Sequence, residues 1–166
     1  MEEHPYQTPK SKVVDVEKKP GSAAKAITVG IVLNSVFSLL APIALAFIFG
    51  FVLSAQGYSS EEIQDYIRAE GFNNAYSILS LIMGLVITLI SAYIVGVISR
   101  QKVYRNATIM VLIIYIAVVA IQWNDVGKLL EASIYLGLDL LFAWAGAWLY
   151  QRGVGEGCGG SITNRS

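Results

Sequence analysis

The sequence predicts an all-α fold, a four-helix transmembrane bundle with both termini in the cytoplasm and a short interfacial helix in the first outer loop. Three observations carry this reading. Of 166 residues, 55% are hydrophobic and only 14% charged, against about 25% charged in an ordinary soluble domain. The charge gathers in residues 1–25, 57–70, 99–105, 124–131 and the tail, leaving long apolar stretches between. Those stretches match the roughly 20 residues needed to cross hydrocarbon as a helix.

Residues 1–25 are polar, with Pro5, Pro9 and Pro20 among mixed charges. They are expected to form a disordered cytoplasmic leader. The membrane domain is expected over residues 26–151. Its first span, 26–54, carries no charge between Lys25 and Glu61, and Pro42 removes one backbone donor near its middle. The apolar run is too long for the core of a signal peptide and is expected to stay as an anchor.

The polar loop 57–74 is expected to hold its own short helix. Ser59 and Glu62 have the spacing of a capping box. Ile63, Tyr66 and Ile67 recur at helical spacing, and Gly71 is a stop signal. The second span is read as 75–98, followed by a basic turn with Arg100, Lys102 and Arg105. The third is 106–123, and the fourth is 132–150. Residues 152–166 are glycine-rich and are expected to form a flexible cytoplasmic tail.

Orientation follows from the basic residues. Lys10, Lys12, Lys18, Lys19 and Lys25 lie in the leader, three more in the 99–105 turn, and Arg152 and Arg165 in the tail. The other loops hold Glu61, Glu62, Asp65, Glu70, Asp125 and Glu131 beside only Arg68 and Lys128. The positive-inside rule therefore places leader, turn and tail in the cytoplasm.

Asp139 is the only charged-type side chain within an expected span. Placing a carboxylate there costs roughly 2.5–3.5 kcal/mol on insertion scales, so it should face protein and not lipid. Ala132, Asp139, Ala143, Gly146 and Tyr150 share one face at 100° per residue, with Leu138, Leu141, Trp144 and Trp148 broadly opposite. Matching span midpoints by depth gives Tyr115, Thr88 and Ser38 as hydrogen-bond partners, with Tyr135 one turn away on the same helix. These residues form a candidate proton or cation site. The bland alternative is a protonated clasp between helices, and it is the better supported of the two.

Ser80, Gly84, Thr88, Ala92 and Gly96 recur every four residues on the second span. Small residues at that spacing let backbones approach closely, so they are expected to pack helices, as are Ala143 and Gly146. Asn34 is read as an interhelical hydrogen-bonding residue and Gln122 as an interfacial one.

Composition also excludes several chemistries. Net charge is zero, so no general attraction to nucleic acid is expected. The single cysteine, Cys158, cannot form an intrachain disulfide or a multi-cysteine metal site, and the single histidine, His4, lies in the leader. No metal, cofactor or catalytic constellation is expected, and the protein is read as non-enzymatic.

His4-Pro5-Tyr6-Gln7-Thr8-Pro9 resembles an N-P-Y-x-x-P leader, with His4 in place of the usual Asn. Ser91-Ala92-Tyr93-Ile94-Val95-Gly96, followed by Arg100, resembles the G-G-Y-x-A/G end of a second span, and Gly146-Ala147-Trp148-Leu149 echoes it. The chain thus resembles uncharacterised small four-helix bacterial inner-membrane proteins, and the echo suggests two related hairpins. The resemblance implies an inner-membrane location and no activity.

Two functions are carried forward. The favoured one is an accessory protein that binds a membrane-protein partner, or a second copy of itself, in the lipid bilayer, with Pro5-Tyr6-x-x-Pro9 as an extended recognition segment. The alternative is a small transporter or channel subunit with Asp139 as its proton or cation site.

Overall fold

The computed structural model describes residues 21–69, 74–124 and 126–159. Expectations for residues 1–20, for Gly71 and for residues 160–166 lie outside the described residues. Every regular element described is a helix: α1 (Ala23–Ala55), α2 (Ser60–Arg68), α3 (Ala75–Ser99), α4 (Val103–Ile121) and α5 (Val126–Gly159). Four of them, all but α2, are long and apolar enough to cross a membrane. The chain is therefore a multi-pass membrane protein in architecture.

Local chemistry sets the helix ends. Ser22 starts α1 by accepting the Lys25 N–H, so the helix begins within the segment expected to be leader. The capping box of α2 is complete: Ser59 Oγ accepts the Glu62 N–H, and the Glu62 carboxylate accepts the Ser59 N–H at 2.8 Å. α2 is held in place by Tyr66, whose ring stacks on Phe49 of α1 and whose carbonyl accepts from the Asn74 side chain. Asn74 in turn caps α3 through the Ser77 N–H at 2.8 Å.

The bounds of two expected spans are corrected. α4 begins at Val103 rather than 106 and ends at Ile121 rather than 123. α5 runs beyond 132–150 in both directions, and residues 152–159, expected as flexible tail, are helical. The reason is shared. Charge marks where hydrocarbon ends, but a helix ends where backbone hydrogen bonding ends. Long cationic side chains such as Arg105 are tolerated on a terminal turn because their heads reach toward water. The α3–α4 connection is accordingly short, and Arg100 and Lys102 both take left-handed backbone angles (φ 56° and 51°) to reverse the chain.

α3 is central and packs mainly against α1 and α5, while α4 packs mainly against α5. The tight core lies at the end bearing the α3–α4 turn. Ala26, Ala92, Val95, Ala107, Met110, Ala143 and Ala147 are fully buried there. Small residues make this possible. A Cβ at Gly146 would run into the Leu89 carbonyl, one at Gly96 into the Tyr150 ring, and one at Gly30 into Val95 and Met110. The two echoed segments meet here, since Gly146 faces Ala92.

The outer surface is apolar. Phe47, Phe51 and Ile116 are 76%, 78% and 65% exposed, and Leu141, Trp144 and Trp148 are also exposed. A soluble protein rarely shows contiguous apolar surface on this scale. In lipid such side chains are in their own solvent, and helices satisfy their backbones internally.

Candidate functional site

At the level where the tight core ends, four polar side chains from three helices form one line. Ser38 Oγ donates to Asn34 Oδ1 at 3.0 Å, Asn34 Nδ2 donates to Thr88 Oγ1 at 3.2 Å, and Thr88 Oγ1 donates to Asp139 Oδ1 at 3.0 Å. Asn34 and Thr88 are 6% and 4% exposed, so neither has lipid as a neighbour. With Asp139 ionised, every donor points toward the carboxylate.

The same atoms allow one other complete arrangement. If Asp139 carries a proton it can donate to Thr88. Thr88 then turns its hydroxyl to Asn34, whose amide flips to accept from Thr88 and donate to Ser38. Oxygen and nitrogen of an amide exchange places without moving heavy atoms appreciably. The line is therefore satisfied with Asp139 charged or neutral. A clasp needs only one of these arrangements, whereas a group that takes up and loses a proton needs both.

Beyond this line the helices part. A cavity of about 720 Å³ is lined by Asn34, Ser38, Ser77, Ser80, Gly84, Thr88, Tyr135 and Asp139, with Leu39, Leu81, Leu85, Ile114, Val118 and Ile121 as apolar wall. A second, of about 450 Å³, lies between α4 and α5 and is lined by Tyr115, Gln122, Lys128, Glu131, Tyr135 and Asp139 among others. Asp139 and Tyr135 border both. The buried residues of the turn end close the opposite direction.

The sequence-predicted residues divide accordingly. Thr88 contacts Asp139 directly. Ser38 reaches it only through Asn34, one turn along α1, and then Thr88, because matching midpoints fixes depth only to about a turn. Tyr115 shares the smaller cavity with Asp139, but its hydroxyl pairs with Ser133 at 3.2 Å. Among the expected packing residues, Ala92, Gly96, Ala143 and Gly146 are buried in the core. Gly84 is corrected: no atom lies within 4 Å of a Cβ built there. Ser80 has a buried hydroxyl without a partner and lines the same cavity. The stripe packs only on one side of Thr88, since α5 opposes it with Ala143 and Gly146 there and with Tyr135 and Asp139 beyond.

Sequence reasoning missed Ser133, Ser35 and Ser77. A usable signal was present: Asn34, Ser35 and Ser38 put a small polar face on α1 opposite Ser77, Ser80 and Gly84 on α3. Small faces backed by the bulkier Tyr135 and Asp139 of α5 leave space, whereas small faces opposite Ala143 and Gly146 pack. Among the described residues no group of three His, Cys, Asp or Glu side chains could hold a metal ion. Compared with known proteins, the chain matches no family model, no curated protein and no solved structure.

Proposed function

We propose that the protein binds and releases a proton or cation at Asp139, as a small inner-membrane transporter or channel subunit with both termini in the cytoplasm. One observation carries the reading: a half-buried carboxylate at the foot of a cavity, on a hydrogen-bonded line that is complete in either protonation state. An intramembrane acid is costly, and a cavity-facing one is most often part of a pathway. With the turn end cytoplasmic, the cavity lies on the outer side of the Thr88–Asp139 pair. The packed core at the turn end favours a carrier over an open pore.

The test is proton or cation flux into liposomes holding the purified chain. Wild type should carry a flux that Asp139→Asn abolishes. Flux no greater than in empty liposomes, or equal flux from the variant, refutes the reading. The accessory role expected from Pro5-Tyr6-x-x-Pro9 stands as a second proposal, resting on residues outside those described. A copurifying membrane partner that is lost on deleting residues 1–20 supports it, and an unchanged set of partners refutes it.

A further inference from the structure

We infer that the larger cavity takes a lipophilic monovalent organic cation, with its charged centre at Asp139 and its apolar body along α3 and α4. The inference rests on the reading of Asp139 as a cation site and names the class of cation. Charge comes first. Among the described residues lining this cavity, Asp139 is the sole ionisable carboxylate and none is Lys or Arg. An ionised Asp139 therefore repels an anion, and a neutral occupant leaves it without a counter-charge. Lys128 and Glu131 border only the smaller cavity.

Size and donor chemistry separate the remaining cations. A divalent ion such as Ca²⁺ asks for about six to eight oxygen ligands. Here the nearest oxygens are already committed: Thr88 Oγ1 donates to Asp139 and accepts from Asn34, and Asn34 Oδ1 accepts from Ser38. A small inorganic ion would exchange its water for Asp139 and a few hydroxyls, the unpartnered Ser80 among them. It would also leave the apolar wall of the cavity uncovered. A delocalised organic cation sheds its hydration cheaply and covers the wall formed by Leu39, Leu81, Leu85, Ile114, Val118 and Ile121. Tyr135 borders the cavity beside Asp139 and supplies an aromatic ring of the kind that attracts such cations. Open space beside Gly84 widens the cavity on the α3 side.

The probe is radiolabelled tetraphenylphosphonium on the full chain in nanodiscs, with tetraphenylborate as an anion of the same shape. Saturable binding of the cation and none of the anion is expected. Asp139→Asn should weaken it about tenfold or more, as loss of a partly desolvated counter-charge does. Asp139→Glu should retain it. Gly84→Leu projects into open space, so it should fold normally and block the bulky cation. That variant decides the matter even where Asp139→Asn fails to fold. Equal uptake of both ions, or binding unchanged by Gly84→Leu or by a folded Asp139→Asn, overturns the inference. Asp139-dependent proton flux without tetraphenylphosphonium binding overturns the organic-cation assignment alone and leaves the proton-site reading standing. Loss of both overturns both.

Discussion

Thr88 Oγ1 on α3 lies 3.0 Å from Asp139 Oδ1 on α5, and this pair marks the level at which a packed bundle becomes an open one. On one side Ala92 and Gly146 hold the two helices together. On the other, Gly84 faces space. The polar pair can exist at this depth because the core shields one flank and the cavity admits a partner on the other.

Removing the Thr88 hydroxyl should therefore cost more than removing a similar one nearby. Thr88→Val strips Asn34 of an acceptor and Asp139 of a donor. The expected loss is roughly 0.6–1.7 kcal/mol, the upper range for hydrogen bonds between membrane helices. Ser80→Ala removes a hydroxyl with no partner and should change stability by less than about 0.5 kcal/mol. Unfolding of the two variants in mixed micelles measures both. Equal losses would mean that the Thr88 bridge contributes nothing to stability.

Two glycines should respond in opposite directions. Gly146→Ala drives a methyl into the Leu89 carbonyl, and overpacking of this kind costs about 1–3 kcal/mol. Gly84→Ala meets nothing within 4 Å. It should be neutral or stabilise by up to about 1 kcal/mol through helix propensity. Folded yield and thermal midpoint in detergent read both effects. A destabilised Gly84→Ala would restore the packing role expected from the sequence.

That contrast shows how much was legible. The four spans, the capping box of α2 and the inward face of α5 follow from periodicity, charge and capping chemistry within single segments. Thr88 as a partner of Asp139 followed from depth. Gly84 did not follow, because a small residue serves equally to let helices touch or to leave a hole. Which occurs depends on the residue opposite, here Ala143 and Gly146 at one end and Tyr135 at the other. The length of α5 was hidden for a different reason: hydropathy reports the membrane boundary and is silent about hydrogen bonds beyond it.

The capping box of α2 gives a pH dependence outside the spans. The Ser59 backbone N–H, then its side chain, hold Glu62 below its ordinary value of 4.5. A lowered folded value means the stabilisation is fully present above the unfolded value. It is lost as pH falls through the folded one. The α2 start should thus fray below the ordinary glutamate range, read as a fall in the protection factors of the Ser59 and Glu62 amides, which are corrected for the intrinsic pH dependence of exchange. Glu62→Gln should remove that pH dependence. Protection factors that are flat with pH in the wild type would contradict the box as a contributor.

Access to the cavity from one side only is the last consequence, and chemistry can read it directly. Cys158 is the single native cysteine, so Cys158→Ser gives a background without thiols. Ser35→Cys and Gly84→Cys put a thiol in the cavity, where water can support the thiolate that reacts with maleimides. Ala107→Cys and Ala143→Cys put one in the closed core, where both native residues are fully buried. An impermeant maleimide added to one face of sealed vesicles should label the first pair and spare the second. Arg100→Cys, at the turn end, should label only from the opposite face. Labelling of Gly84→Cys from both faces would mean that the core around Ala92, Met110 and Ala147 does not seal, and a carrier with a single open side would give way to a pore.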